Sequence, residues 1–254
     1  MPAPLWSMQP TTRFTSRARD YARNRPGYPA AAIDHVLAGL GPPRSLRAVD
    51  VGAGTGISAR LLAARGVPVV AVEPNRAMRR AARPHPRVRF RAGTAERTGL
   101  PAGACDLVLC AQAFHWFEPQ AALAEFTRLL RPSGRLAIVW NLRSAADPFT
   151  AAYTRILRRT AGKRLTAAAL PAQAPILRRA GFHDVRRAVF PGHQWLDLPG
   201  LLGRARSSSY APPSGRALAS MEDALTALHA RFSDRRGRVR LVYRTVVYTG
   251  TRPG

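Results

Sequence analysis

The segment with the clearest chemical meaning is Val49-Asp50-Val51-Gly52-Ala53-Gly54-Thr55-Gly56. An apolar run ends there in alternate glycines, and a helical pattern opens at Ile57. Glycine lets backbone amides approach a bound molecule with no side chain between. Glu73 stands seventeen residues past Gly56, at the end of the next apolar run. A carboxylate there can accept hydrogen bonds from both hydroxyls of a ribose. Dinucleotide sites use G-x-G-x-x-G/A, but the third small position here is Ile57, so that fingerprint fails. Asp50 lies two residues before the first glycine. A carboxylate is favourable near a cation and unfavourable near a pyrophosphate. The pattern suits a nucleoside carrying cationic groups better than a diphosphate.

Other reactive residue types say less. Cys105 and Cys110 sit five apart in an apolar run. On a strand their Cα atoms stand roughly 16 Å apart, beyond the ~7 Å reach of a disulfide. Strict alternation also sends them to opposite faces, which predicts two buried thiols. The six histidines (His35, His85, His115, His183, His193, His229) show no metal-ligand spacing, so no metal site is expected.

The elements that position the glycine segment follow from alternation. Short apolar runs at 48–52, 68–73, 87–91, 106–111 and 135–140 read as strands, with helical patterns at 57–65, 75–83 and 119–130 between them. Near-continuous apolar strands alternating with helices mean an α/β, doubly wound sheet, mostly parallel, with helices on both faces. Ligands bind such sheets at the carboxyl ends of the strands. Further on, 176–180 reads as a helix, 185–190 as a sixth strand and 239–248 as a long final strand. About fifty residues lie between those last two strands, with a helix near 214–232. That is too long for a plain loop and predicts a small helical cap.

The chain has 254 residues, 46% hydrophobic and 21% charged. A chain of this length buries roughly 70–75% of its unfolded surface, so it needs no disulfide or metal to fold. No stretch approaches the ~18–20 apolar residues of a membrane span. The first twenty residues hold no apolar signal core, and Arg13, Arg17 and Arg19 only faintly suggest a transit peptide. A cytoplasmic monomer or homodimer is expected. Forty basic residues against fourteen acidic ones give +26, and only Lys163 among the forty is lysine. Nucleic-acid binding is one reading of that charge. An arginine-biased solvated surface is the favoured one, because the arginines are dispersed. The densest cluster is Arg13 to Arg25, five arginines in thirteen residues.

The chain resembles the class I S-adenosylmethionine-dependent methyltransferases, and more narrowly the type-11 small-molecule group that includes trans-aconitate-methyltransferase-like proteins. The matching segments are VDVGAGTG (49–56), VEPN (72–75), GTAERTGLP (93–101), DLVLCAQAFHWF (106–117) and LLRPSGRLAIVW (129–140). RARDYARNRPGYP (17–29) and SSSYAPPSG (207–215) are weaker matches outside the core. The resemblance implies one methyltransferase domain with a seven-stranded Rossmann-like sheet whose last strand is antiparallel. Its parts would be an N-terminal helical segment over the site (1–45), the core (46–190), a cap insertion (191–237) and the final strand (238–250).

The resemblance also implies roles. Gly52, Gly54 and Gly56 would lie against the amino-acid portion of S-adenosylmethionine, and Glu73 would hold its ribose. Ala95 and Glu96 would lie beside the adenine, and Ala111 and Gln112 would face the cofactor. His115 and Trp116 would edge the reaction pocket, under Tyr21, Arg25 and Tyr28. The expected reaction is methyl transfer to a small-molecule acceptor, with a carboxylate or hydroxyl oxygen favoured. RNA as acceptor, or binding without turnover, are the alternatives. His115 is the candidate base where the acceptor must lose a proton. Arg25, Arg143 or Arg206 could pair with an acidic acceptor through two parallel hydrogen bonds.

Overall fold

The computed structural model describes residues 15–161 and 173–253. Arg13 and Lys163 lie outside the described residues. Five strands, β1 (Ala48–Val51), β2 (Val69–Val72), β3 (Val88–Arg91), β4 (Cys105–Ala111) and β5 (Leu130–Arg143), pair in parallel. β6 (His183–Leu196) and β7 (Val239–Thr251) complete a sheet of order β3-β2-β1-β4-β5-β7-β6. β7 runs antiparallel to both of its neighbours, so the last strand is the reversed one, as expected.

The inner strands are buried on both sides because helices cover both faces. α2 (Ala30–Leu37) and α3 (Ile57–Ala63) lie on one face, where Ile33, Val36 and Leu62 meet Leu107, Leu109 and Val139. α5 (Pro119–Leu129) and α7 (Gln173–Arg179) lie on the other, where Phe126, Leu129 and Leu177 meet Val49, Val108 and Ile138. Pro119 opens α5, and the Glu118 carboxylate accepts hydrogen bonds from the Gln120 and Ala121 amides.

A third apolar cluster makes the cap. α6 (Pro148–Ala161), α8 (Leu198–Arg206) and α9 (Arg216–Phe232) join through Tyr153, Leu157, Leu201, Met221 and Leu225. They pack on Leu196, Leu241 and Tyr243 of the β6–β7 ribbon. The cap therefore takes one helix from before β6, whereas the sequence pattern places all of it between the last two strands. β6 also runs to Leu196, six residues past Phe190, so 191–196 is strand and not cap.

Cys105 corrects a second expectation. The β4–β5 pairing shifts register between Cys105 and Leu107. That irregularity breaks the alternation and brings Cys105 into the same apolar layer as Cys110. Both are free, and burial pushes the Cys105 thiol up to about 12.

α1 (Ala18–Asn24) is strapped to α8. Arg17 donates to the Ser208 and Ala211 carbonyls, and Arg25 donates to the Ser207 carbonyl at 2.6 Å. Other arginines also bind backbone oxygens across loops. Arg135 donates to the carbonyls of Val36 and Ala38, Arg79 to those of Glu73 and Pro74, and Arg91 to those of Thr98 and Gly99. The planar guanidinium fork suits two such acceptors at once. No helix among the described residues is long and apolar enough to cross a membrane.

Candidate cofactor and acceptor site

The carboxyl ends of β1, β2, β4 and β5, the loop after β3, and α1 surround one cavity of about 750 Å3. It opens where β1 is flanked by β2 and β4, the switch point at which open α/β sheets bind ligands. The glycine segment turns beneath it. The Gly52 and Ala53 amides donate to the Val72 carbonyl at 2.9 and 3.1 Å, which pins the turn to β2. Gly52 is in the left-handed region, and a Cβ there would sit 2.6 Å from that of Ala113. Gly54 is also left-handed, and a Cβ there would lie 3.3 Å from Met78 Cε and 3.7 Å from the Tyr21 ring. Gly52 therefore admits backbone only, and a Cβ at Gly54 would need Met78 to shift by a few tenths of an ångström.

Glu73 faces this turn. One carboxylate oxygen accepts the Gly54 amide and the other the Asn75 amide, each at 2.9 Å. A carboxylate has about four acceptor positions, so two are still available toward the cavity. Burial raises the Glu73 pKa, against the two amides and Arg79. Asn75 then caps α4 (Arg76–Arg80), accepting from the Ala77 and Met78 amides, which places Met78 on the wall.

Thirteen of the expected residues line this cavity: Tyr21, Arg25, Tyr28, Gly52, Gly54, Glu73, Ala95, Glu96, Ala111, Gln112, His115, Trp116 and Arg143. Asp50 and Gly56 do not. Asp50 lies fully buried behind the turn and accepts the Ser58 hydroxyl at 2.6 Å. Burial pushes its carboxyl up to about 7. It ties the strand end to α3 and does not touch the cavity. Gly56 is buried away from the cavity, where a Cβ would meet the Phe90 ring at 2.8 Å. Arg206 is also away from the wall, paired with Glu222.

Glu96 is engaged by protein, since it accepts the Glu118 amide at 3.0 Å. Gln112 has φ of 58°, a costly conformation for a residue with a side chain, as β4 turns outward. Its side-chain amide donates to the Asn141 carbonyl at 3.2 Å.

His115 sits in a 3-10 turn, Phe114–Trp116. Its ring packs 4.7 Å from Trp116 and 5.3 Å from Trp140. Its Nδ1 is buried and meets no protein partner. Burial, with Arg25 as a smaller contributor, pulls its pKa down to about 4. The imidazole is therefore neutral at pH 7 and a weaker base than an ordinary histidine.

The sequence reading missed several wall residues: Met78, Trp140, Arg158, Arg204, Tyr210 and Tyr243. Arg143 donates to the Tyr210 hydroxyl at 2.9 Å, and Arg204 to the Tyr243 hydroxyl at 3.3 Å. Burial opposes ionisation of Tyr210, but Arg143 and Arg204 outweigh it and lower its pKa. This end of the cavity is electropositive. Among the described residues no cluster of His, Cys, Asp and Glu could hold a metal ion.

Residues 49–138 match the methyltransferase domain family. An uncharacterized methyltransferase of Mycobacterium tuberculosis is 45% identical over 133 residues, covering 51% of this chain and 52% of the relative. A putative type II methyltransferase structure from Anaeromyxobacter dehalogenans superposes with a TM-score of 0.68 at 27% identity, over 90% of this chain and 98% of that one. The methyltransferase-domain match thus covers residues 49–138, and the solved relative shares the fold over nearly the whole chain.

The chain spans about half the length of the curated relatives it matches first. The fold is also shared, at a TM-score of 0.57 and 16% identity, with a Haemonchus contortus phosphoethanolamine N-methyltransferase solved with S-adenosylhomocysteine. That likeness covers 98% of this chain and 59% of the other. The residues lining the cavity fit S-adenosylmethionine, the cofactor that the resemblance implies. A glycine turn with no Cβ at 52 and 54 faces a carboxylate that lines the cavity and has acceptor capacity beyond its two amide bonds.

Proposed function

We propose that this chain is an S-adenosylmethionine-dependent methyltransferase that transfers a methyl group to an oxygen of a small-molecule acceptor, a carboxylate or hydroxyl. When bound, S-adenosylmethionine would supply an electrophilic methyl group on a sulfonium, with the neutral thioether S-adenosylhomocysteine as the group that leaves when the C–S bond gives way to the new C–O bond. The protein's task is then alignment and exclusion of water. Gly52, Gly54 and Glu73 hold the donor. Tyr21 and Tyr28 cover it from the N-terminal segment, and Ala111 and Gln112 form the opposite wall. Ala95 and Glu96 flank the adenine. Asp50 and Gly56 shape the turn without contact.

The observation that carries the reading is the single continuous cavity that joins the Glu73 end to the arginine and tyrosine end. Its volume lies in the range of small-molecule sites. The state of His115 favours an oxygen already ionised. With a pKa near 4 it accepts a hydrogen bond readily but removes a proton from a phenol or amine poorly. A carboxylate needs no such base. RNA is the weaker reading. In the densest arginine cluster, Arg17 and Arg25 are bound to cap carbonyls and do not form an open basic stripe.

The test is a transfer assay with labelled donor against panels of small carboxylates, phenols, amines and RNA. Label in a base-labile ester or an ether from the first two panels is expected. Label in RNA alone, or none in any panel while the donor binds, would overturn the proposal.

A further inference from the structure

Arg204 of α8 is 5% exposed, and Arg25 and Arg143 line the same cavity. Among the described residues none of the three forms an ion pair with a carboxylate. The acids on the cavity wall are Glu73, Glu96 and Glu118, all on the β2–β3 side or at the start of α5, and each accepts backbone amides. The guanidiniums instead have neutral partners. Arg204 reaches the Tyr243 and Ser208 hydroxyls at 3.3 and 3.4 Å, longer than a well-made bond. Arg25 Nε and the Tyr153 hydroxyl are buried with no protein partner.

Arginine stays charged in proteins, and a buried charge without a counter-ion is costly. Here two such charges come from elements that must meet: Arg25 follows α1 and Arg204 lies on α8. Burial and then the charge of Arg204 both lower the pKa of Arg25, so the two guanidiniums repel across the cavity. Tyr210 and Tyr243 offset part of that repulsion, and the tyrosines around Arg204 raise its pKa despite burial; an anion placed between the two guanidiniums would attract both.

We propose that the arginine end is a binding subsite for an anionic group of the acceptor, a carboxylate or a phosphate monoester, held by Arg25, Arg143 and Arg204. The group is an anchor separate from the methylated oxygen, because Arg204 and Tyr243 stand on the β5–β7 side, away from the glycine turn. Each guanidinium can bind such an anion with two parallel hydrogen bonds. Tyr210, already paired with Arg143, adds a hydroxyl donor. The subsite rests on the methyl-transfer reading.

The test uses the full chain with S-adenosylhomocysteine present. Its melting temperature is followed against sodium succinate and against inorganic phosphate, with sodium chloride at equal ionic strength as reference. A concentration-dependent rise with either anion beyond the chloride reference is expected, and the stronger of the two identifies carboxylate or phosphate. Arg204→Met should weaken the apparent anion affinity about tenfold to a hundredfold. Arg143→Met, at a half-buried position, serves as the second variant should Arg204→Met not fold. S-adenosylhomocysteine affinity is measured separately by calorimetry and should be unchanged in both. No rise beyond chloride, or the same rise in the folded variants, overturns the subsite and leaves methyl transfer standing. Failure of wild-type protein to bind S-adenosylhomocysteine overturns both.

Discussion

Truncating Glu73 to alanine removes two things at once. In the free protein the Gly54 and Asn75 amides lose their acceptor. Leaving a buried donor unpaired costs about 1–3 kcal/mol. The relief of a buried carboxylate, 8% exposed and with its pKa raised chiefly by burial, offsets part of that. A net stability loss of about 2–4 kcal/mol is expected. In the complex the two ribose hydroxyls also lose a charged acceptor, each bond being worth about 1.5–3 kcal/mol. After exchange with water, about 2–4 kcal/mol of donor affinity should vanish, roughly 30- to 700-fold. Glu73→Gln sharpens the reasoning. It keeps one acceptor oxygen, but its NH2 must point at one of the two amides or rotate into the cavity. It should lose less affinity than alanine but still bind measurably worse. The assay is calorimetric titration of S-adenosylhomocysteine into variants whose circular dichroism matches wild type. Wild-type affinity in a folded Glu73→Ala protein would refute the assignment of the ribose to this carboxylate.

Gly54→Ala should cost about 1–2 kcal/mol from its left-handed backbone and crowd Met78. Gly54→Val should abolish donor binding while the circular dichroism keeps its α/β form; retained binding would show that the ligand does not approach this backbone. His115, held near pKa 4, is protonated more readily unfolded than folded, so its contribution to stability is complete above about pH 6.5 and falls by about 3 kcal/mol as pH drops toward 4. Activity should show no histidine limb between pH 5.5 and 9 (roughly, from the same shift), and a limb near pH 6.5 that disappears in His115→Gln would contradict the neutral imidazole. Asp50 has the opposite sign. Its folded carboxyl keeps a proton up to about pH 7 while the unfolded one releases it near 4, so stability falls by about 4 kcal/mol as pH rises through that window. Denaturant melts of Asp50→Asn, which retains an acceptor for Ser58, should lack that fall; an unchanged slope would place the titration elsewhere.

The parallel half of the fold was readable because its strands are buried on both faces and its helices carry apolar stripes. In the antiparallel half both strands and the reversed direction of the last were readable, but not the full extent of β6 or the place of α6 in the cap. Pro191 and Gly192 look like a strand terminus, yet β6 is an edge strand, where a proline has no ladder bond to lose. Gly192 is instead required by Pro29, which a Cβ would meet at 3.3 Å. α6 did have signals: Asp147 accepts the Thr150 amide at 2.8 Å as an N-terminal cap, and Phe149, Tyr153 and Leu157 recur every four residues. The glycine turn and Glu73 were legible because their function depends on local spacing. Arg204 was not singled out and Arg206 was, although helical period separates them. Leu201, Arg204 and Ala205 share the buried face of α8, and Arg206 points to Glu222 on α9. Asp50 was assigned to contact because its charge suits a cation, but the tight turn of Gly52 to Gly56 puts a layer of backbone in front of it.

Arginines that reach over to carbonyls, as Arg17, Arg79, Arg91 and Arg135 do, stitch loops together through a dipole and not through a countercharge. Such stitches leave the full +1 in place, so a chain with only fourteen acids can be laced tightly and still repel itself everywhere. Dissolved salt mutes that long-range repulsion within a Debye length of about 8–10 Å while scarcely touching a short bond to a peptide oxygen. For this molecule, then, brine is a stabiliser, and swapping its arginines for lysines would keep every charge while undoing the lacing.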